Sequence, residues 1–481
     1  MSNLSGTIKA IQNIMRKDVG VDGDAQRISQ LGWMLFLKIF DDKEQDYEIL
    51  DENYRSPIPE KLKWRNWAAD DEGLTGDGLL DFVNNELFPT LKDLQVTSVT
   101  DKANIVKDIF EDSYNYMKSG TLLKQVINKI NEGLDYTIQE ERHLFNDIYE
   151  QILNDLQSAG NAGEYYTPRA ITQFIVQMVD PKLGEKVLDF ACGTGGFLVN
   201  AIEHIRSKGE VKTIADREVL QNSILGVEKK PLPHMLATTN LILHNIEQPS
   251  IMHDNLLGRS VNSWTPKERV DVIVTNPPFG GMEEDGVEKN FPMNFRTRET
   301  ANLFLYLAIH VLKPNGRSGI VLPDGFLFGD GVAARLKETL LEKCNLHTIV
   351  RLPKGVFSPY TGINTNLLFF EKGTPTKEVW YYEHPYPEGV KSYNKTKPIR
   401  IEEFEPEKAW WNNRHENEYA WRVPVEDIVK YNYNLDIKNP HKPEHNHRDP
   451  KELLAQYREL QQEIARMQSE LKNELRTSLT D

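Results

Sequence analysis

Through the first 157 positions apolar residues recur every three or four places. Ile8, Ile11 and Met15 make one stripe, and Ile28, Leu31, Leu35, Ile39 and Phe40 make another, with Asp24 placed to cap it. Further stretches run over 79–94, 105–117 and 122–130, then through Leu144, Ile148, Ile152 and Leu156. This is the period of helices that bury one face, so an all-helical first domain is expected. Small residues at 158–163 break the pattern. Beyond them, short β-branched runs alternate with helical spacing, which signals a parallel sheet with crossover helices. Strands are expected over 186–190, 223–228, 250–253, 270–275, 318–323, 348–352 and 366–370, seven in all. A polar stretch at 439–450 precedes Leu453, Tyr457, Leu460, Ile464, Met467 and Leu471, spaced 4-3-4-3-4. That is a heptad seam, able to pack on its own domain or, as the polar linker favours, on another helix. The expected organisation is a helical domain at 1–157, a Rossmann-like α/β domain at 158–438, and a linker with a coiled-coil-like helix at 439–481.

At 481 residues, 39% hydrophobic and 27% charged, the chain has the length of two or three domains and the balance of a soluble globular protein. No apolar run approaches the ~20 residues that span a membrane, and the N-terminus lacks the basic-then-apolar pattern of a secretory signal. Cys192 and Cys344 are the sole cysteines, too few for a disulfide framework or a cysteine-rich zinc site. A reducing cytoplasm fits. His244, His253 and His310 lack ligand-like spacing, so no metal is expected. The net charge is −15, of which −12 lies in residues 1–160, where 29 acidic residues face 17 basic ones. Phosphate binding draws on clustered Lys and Arg, so a nucleic-acid substrate would call for a basic partner.

Two segments carry chemistry. The strand ending at Asp189 runs into Gly193-Thr194-Gly195-Gly196 and then a helical pattern. A glycine-rich strand-to-helix turn lets a nucleotide-like ligand approach the backbone. The glycines are not spaced for a dinucleotide, and the acid ending the next strand, Glu228, comes later than the ~20 residues such folds use. Asp189 would repel pyrophosphate but could pair with an ammonium group, so a cationic cofactor is favoured over NAD. A tight turn with no ligand is the plain alternative.

The second segment is Asn276-Pro277-Pro278-Phe279, at the end of a later strand. Consecutive prolines force the chain out of the sheet at the same crevice. The Asn276 side-chain oxygen and the Pro277 carbonyl can accept both hydrogens of one amino group, and Phe279 offers a ring for stacking. A heterocyclic amine is a weak nucleophile because its lone pair is delocalised. Two fixed acceptors would favour a tetrahedral nitrogen and aim that lone pair at a methyl donor. A turn signal beside a core phenylalanine is the plain alternative. A carbon-5 cytosine mechanism needs a nucleophilic cysteine beside the base motif, and neither Cys192 nor Cys344 is so placed.

The combination of Asp-x-x-x-Gly-x-Gly with Asn-Pro-Pro-Phe resembles the amino-methylating DNA methyltransferases that use S-adenosylmethionine. The segment 163–169, with Glu164 standing where some relatives have Gln, and the segment 352–362 narrow the likeness. It becomes one to the modification subunits of type I restriction-modification systems, over nearly the whole chain. The resemblance implies a helical N-terminal domain, a class I methyltransferase domain with a seven-stranded, mostly parallel sheet, and adenine-N6 methylation of a flipped-out base. It places Glu164, Tyr165, Tyr166, Thr167, Pro168 and Arg169 along the methionine end of the cofactor and Thr194, Gly195 and Gly196 beneath it. Glu228 would hold the ribose hydroxyls, Asp254 would meet the cofactor's adenine, and Asn276, Pro277, Pro278 and Phe279 would hold the target base. With Asp189 and Gly193 these complete the candidate site. Independently, Thr167 before Pro168 reads as an N-cap followed by proline at the first helical position.

The expected partners are DNA, a specificity subunit docked through the C-terminal helix and N-terminal domain, a second modification subunit and, in a restricting assembly, a nuclease/translocase subunit. After Lys377 too little chain remains for a large target-recognition region, so sequence reading is expected from elsewhere. Two other functions stay open: a stand-alone methyltransferase for RNA guanine or protein glutamine, and a non-catalytic cofactor-binding scaffold. The helical front and the heptads weigh against the first, the intact Asn276–Phe279 segment against the second.

Overall fold

The computed structural model describes residues 4–97, 101–133, 167–358, 361–394, 397–442 and, near the C-terminus, 457–458, 460–468 and 471–472. These belong to two compact units, 1–437 and 438–481. The amphipathic stretch expected through Leu144 to Leu156 lies outside the described residues, as do Glu164, Tyr165 and Tyr166.

The front is helical, and its centre is the 28-residue helix Gly23–Leu50, buried from Ile28 to Glu44 with few breaks. So deep a helix must pair the charges it carries, because an unpaired buried charge costs several kcal/mol. Lys38 pairs with Asp42 at 2.7 Å, Asp41 takes both Nε and the backbone N–H of Arg65, and Glu44 accepts from Tyr54 and Ser56. Asp22, not Asp24, holds the N-cap position, and Asp24 is spent on Arg27. The stretch expected over 105–117 is helical only in Lys102–Glu111; Asp101 caps it by accepting from Ala103 N–H, and residues 113–119 form no regular element.

The front and the α/β part share one apolar core. Met235, Leu236, Ile242 and Leu243, on the helix Pro231–Leu243, pack among the side chains of Gly23–Leu50. The helices touch at Gly32, where any Cβ would collide with the Met235 methyl. Lys43 Nζ donates across the joint to Asn245 Oδ1 at 2.6 Å.

The sheet has nine strands among the described residues, not seven: β1 (Val187–Asp189), β2 (Ile224–Glu228), β3 (Ser250–His253), β4 (Val270–Thr275), β5 (Leu312–Pro323), β6 (Cys344–Arg351), β7 (Thr365–Lys372), β8 (Glu378–Glu383) and β9 (Ala420–Pro424). Their order is β3-β2-β1-β4-β5-β7-β6-β8-β9. The first five are mutually parallel; β7 runs antiparallel between β5 and β6, and β8 and β9 extend that edge. The two unexpected strands, Glu-Val-Trp-Tyr-Tyr-Glu and Ala-Trp-Arg-Val-Pro, hold one β-branched residue each and owe their strand character mainly to aromatics, which β-branched runs do not signal. Strand order reverses between the parallel neighbours β1 and β4, with β2 and β3 following on one side and β5 on the other, and this opens a crevice at the carboxyl ends of the strands.

No helix among the described residues is long and apolar enough to cross a membrane. In the 438–481 unit, the described part of the heptad stretch is helical, and Tyr457, Leu460, Ile464, Met467 and Leu471 are each about half exposed or more.

Candidate active site

The glycine turn is shaped by close packing. Gly193 and Gly195 hold φ of +54° and +81°, in the left-handed region that side chains disfavour, and Gly195 caps the helix Gly196–Ser207. Behind the turn, a Cβ on Gly226 of β2 would stand 2.8 Å from Leu198 and 3.2 Å from Cys192. The Thr194 carbonyl is held by Asn240 Nδ2 at 3.0 Å.

A cleft opens at the carboxyl ends of β1 to β4. Its walls include Phe190, Gly193, Glu228, Asp254, Asn276 and Pro278. Glu228 is fixed by two backbone donors, Gly193 N–H at 2.9 Å and Lys230 N–H at 2.8 Å, one to each carboxylate oxygen. Asp254 follows β3 directly, and its N–H donates to the Glu228 carbonyl at 3.1 Å. The two acids expected to serve one ligand therefore stand side by side on adjacent strands.

Asp189 lies behind this wall, only 1% exposed. Its Oδ1 accepts from the Thr275 hydroxyl at 2.7 Å and from Ala191 N–H at 3.2 Å, while Oδ2 has no partner. Burial pushes the carboxyl up to about 7; the two hydrogen bonds oppose the shift and the nearby Glu228 adds to it. Thr194, Gly195 and Gly196 form the turn rather than the cleft wall.

At the end of β4, Asn276 is 8% exposed. Its Nδ2 donates to Thr167 Oγ1 at 2.8 Å, and its Oδ1 is buried without a partner. Thr167 thus serves the strand end and not the helix after it: that helix, Arg169–Val179, starts from Pro168 in the N-cap position with no side-chain cap. Arg169 is exposed and 3.7 Å from Glu203. Pro277 and Phe279 are buried while Pro278 is exposed, and the Phe279 ring meets Phe357 edge-on with centroids 5.6 Å apart.

Residues that sequence reading passed over also line the cleft, among them Lys229, Lys230, Asn255, Leu256, Glu283 and Phe304. The first four directly follow β2 or β3, so their place at strand ends was a usable signal. Glu283 looks like a solvated loop acid, and Phe304 like an ordinary core residue. Both cysteines are buried. Burial lifts the Cys192 thiol well above its usual range, with Asp189 and Glu228 adding to it, and lifts Cys344 to about 12. No metal-holding cluster of His, Cys, Asp or Glu occurs among the described residues.

The fit to a cationic nucleoside cofactor rests on this chemistry. Paired acids at strand ends can accept from ribose and base donors, a buried carboxyl near neutrality can be drawn into its charged form by an ammonium group, and the apolar walls suit a flat ring.

Comparison with known proteins agrees with this geometry. The N-6 DNA Methylase family model matches residues 140–449, and that of the HsdM N-terminal domain matches residues 4–130. The EcoEI type I restriction enzyme methylase subunit of Escherichia coli is 59% identical, over 99% of this chain and 98% of its own. A crystal structure of a modification subunit ascribed to a type I restriction enzyme of Vibrio vulnificus YJ016 superposes with a TM-score of 0.84 at 44% identity, covering 93% of this chain and 98% of that one. A chain from a type I restriction-modification system, solved to explain complex assembly, gives 0.80 at 36% identity, covering 99% and 98%. The chain belongs to the N-6 DNA methylase family, and within it to the modification subunits of type I restriction-modification systems, which makes it an adenine-N6 DNA methyltransferase.

Proposed function

We propose that the cleft takes S-adenosylmethionine and that Asn276 and Pro277 hold the amino group of an adenine turned out of the DNA helix. The observation that carries this reading is the division of labour on the Asn276 amide: its nitrogen is tied to Thr167, while its oxygen is buried and unpartnered. A buried acceptor left open costs stability, about 1–3 kcal/mol, and a donor from the substrate would remove that cost.

Glu228 and Asp254 would bind the ribose and adenine of the cofactor, Asp189 would answer its ammonium group from behind the turn, and Thr167, Pro168 and Arg169 would flank its methionine end beside Glu164 to Tyr166. When bound, the cofactor supplies an electrophilic methyl group. Asn276 Oδ1 accepts one hydrogen of the target amine and the Pro277 carbonyl accepts the other, which draws the nitrogen toward tetrahedral and aims its lone pair. Pro278 fixes the exit of the chain from β4. Phe279 would stack on the base, and since it is now buried edge-on against Phe357, that role calls for a ring movement as the base enters.

Residues 1–157, 158–438 and 439–481 would act as a docking domain, a catalytic domain and a linker with an assembly helix. With a net charge of −15, the chain would rely on a specificity subunit for sequence reading and DNA affinity, docked on the C-terminal helix and the N-terminal domain. A second modification subunit, and a nuclease/translocase subunit in the restricting form, would complete a cytoplasmic assembly.

The test is Asn276→Ala in the complex with the specificity subunit. Methyl transfer should fall about 10²-fold or more while cofactor affinity stays within a few-fold. Retention of more than about a tenth of the wild-type rate would remove Asn276 from the reaction.

A further inference from the structure

The loop that leaves the base motif is closed at its neck and tied to the cofactor cleft. Glu283 N–H donates to the Arg298 carbonyl at 2.9 Å, Arg298 Nε returns to the Glu283 carbonyl at 2.9 Å, and Thr300 N–H donates to the Gly281 carbonyl at 3.1 Å. The neck holds Glu283 with its side chain on the cleft wall, 9% exposed. Its Oε2 accepts from Asn255 Nδ2 at 3.0 Å and lies 3.5 Å from Lys229 Nζ. Asn255 adjoins Asp254, and its own Oδ1 holds the turn at Leu257 N–H; Lys229 adjoins Glu228. A loop acid with no task beyond solubility would point into water. This one gives up most of its hydration to join the segments after β2 and β3 to the segment after β4.

We propose that Glu283 is a positioning residue that couples occupancy of the cofactor cleft to the setting of the target-base loop. The inference rests on the cofactor reading above. A ligand held by Glu228 and Asp254 steadies Lys229 and Asn255, and these steady Glu283 and the loop that begins at Asn276. Such coupling is reciprocal: whatever factor the cofactor adds to DNA affinity, DNA adds to cofactor affinity. Most of it should pass through Asn255, since the Lys229 pair is long and half exposed.

The experiment is calorimetric titration of S-adenosylhomocysteine into the full chain complexed with its specificity subunit, with and without target duplex. In the wild type, DNA should tighten the ligand about fivefold or more. Glu283→Ala should bring that ratio to about one, Asn255→Ala should do the same, and the double variant should be no worse than either, as for two ends of one contact. Glu283→Gln, whose amide oxygen can still accept from Asn255, should keep most of the ratio and guards against misreading a folding defect. A preserved ratio in Glu283→Ala, additive losses in the double variant, or a loss in Glu283→Gln equal to that in Glu283→Ala would overturn the proposal. Absence of any ligand binding by the wild type would instead overturn the cofactor reading.

Discussion

The Thr167 hydroxyl accepts Asn276 Nδ2 at 2.8 Å, joining the entrance of the first helix of the α/β part to the carboxyl end of β4 across 109 residues of chain. In this orientation the amide nitrogen is spent on Thr167 and the Asn276 oxygen is left buried without a partner.

Thr167→Val, which removes the acceptor and keeps the shape, should lower the rate of methyl transfer about tenfold, the scale of losing one buried hydrogen bond. Thr167→Ser should restore most of it. Single-turnover kinetics with saturating cofactor read the effect directly, and a Thr167→Val rate equal to wild type would show that Asn276 needs no support.

Asp189 makes stability depend on pH in the sense opposite to that of a salt-bridged acid. Its ordinary value of 3.8 rises to about 7 in the fold. Below 3.8 the carboxyl is neutral in both states; between 3.8 and about 7 the folded chain keeps a proton that the unfolded chain has released. Its contribution is therefore fully present at acid pH and lost as pH rises through about 7. Asp189→Asn keeps an oxygen for Thr275 and Ala191 and removes the titration. Urea midpoints at pH 5 and pH 8 should show the variant gaining on the wild type at the higher pH. Parallel curves would contradict the buried, proton-holding state.

Neither cysteine should react with a thiol reagent at pH 8 in the native chain, since both are buried and burial raises both thiols. Two equivalents should appear only on unfolding. Rapid native labelling of Cys192 would mean that the glycine turn opens.

Leu460 and Ile464 are exposed in the chain by itself, 61% and 47%. Replacing both with Asp should leave the unfolding midpoint of the isolated chain unchanged, since surface substitutions rarely cost more than about 0.5 kcal/mol. The same variant should fail to co-purify with the specificity subunit. Intact co-purification would place the dock elsewhere.

Much of the fold was legible because its signals are local. β3 and β4 fall on their expected bounds, and the Asn276–Phe279 exit follows from two prolines that no sheet tolerates. The strand-end acids Glu228 and Asp254 converge on one cleft with Asn276. What escaped was set by contacts distant in sequence. Thr167 before a proline satisfies every local rule for a cap, yet its hydroxyl goes to a strand end. Glu283 reads as a solvated acid until Asn255 and Lys229 are brought beside it. β8 carries strand formers in Val379-Trp380-Tyr381-Tyr382, but its place beside β6, and that of β9 beside β8, comes from pairing between segments distant in sequence.

The meeting of Gly32 with Met235 bears on how such chains can be recombined. A helical front grafted from one relative onto the catalytic half of another brings its own residue to position 32. Any residue larger than glycine there meets the end of the Met235 side chain, so the seam closes only if that flexible side chain shifts. Helix Pro231–Leu243 begins just past Glu228, so a poorly seated graft would disturb the cleft as well as the joint. The residues at 32 and 235 are therefore best exchanged together, so that the joint and the cleft beyond it keep their packing.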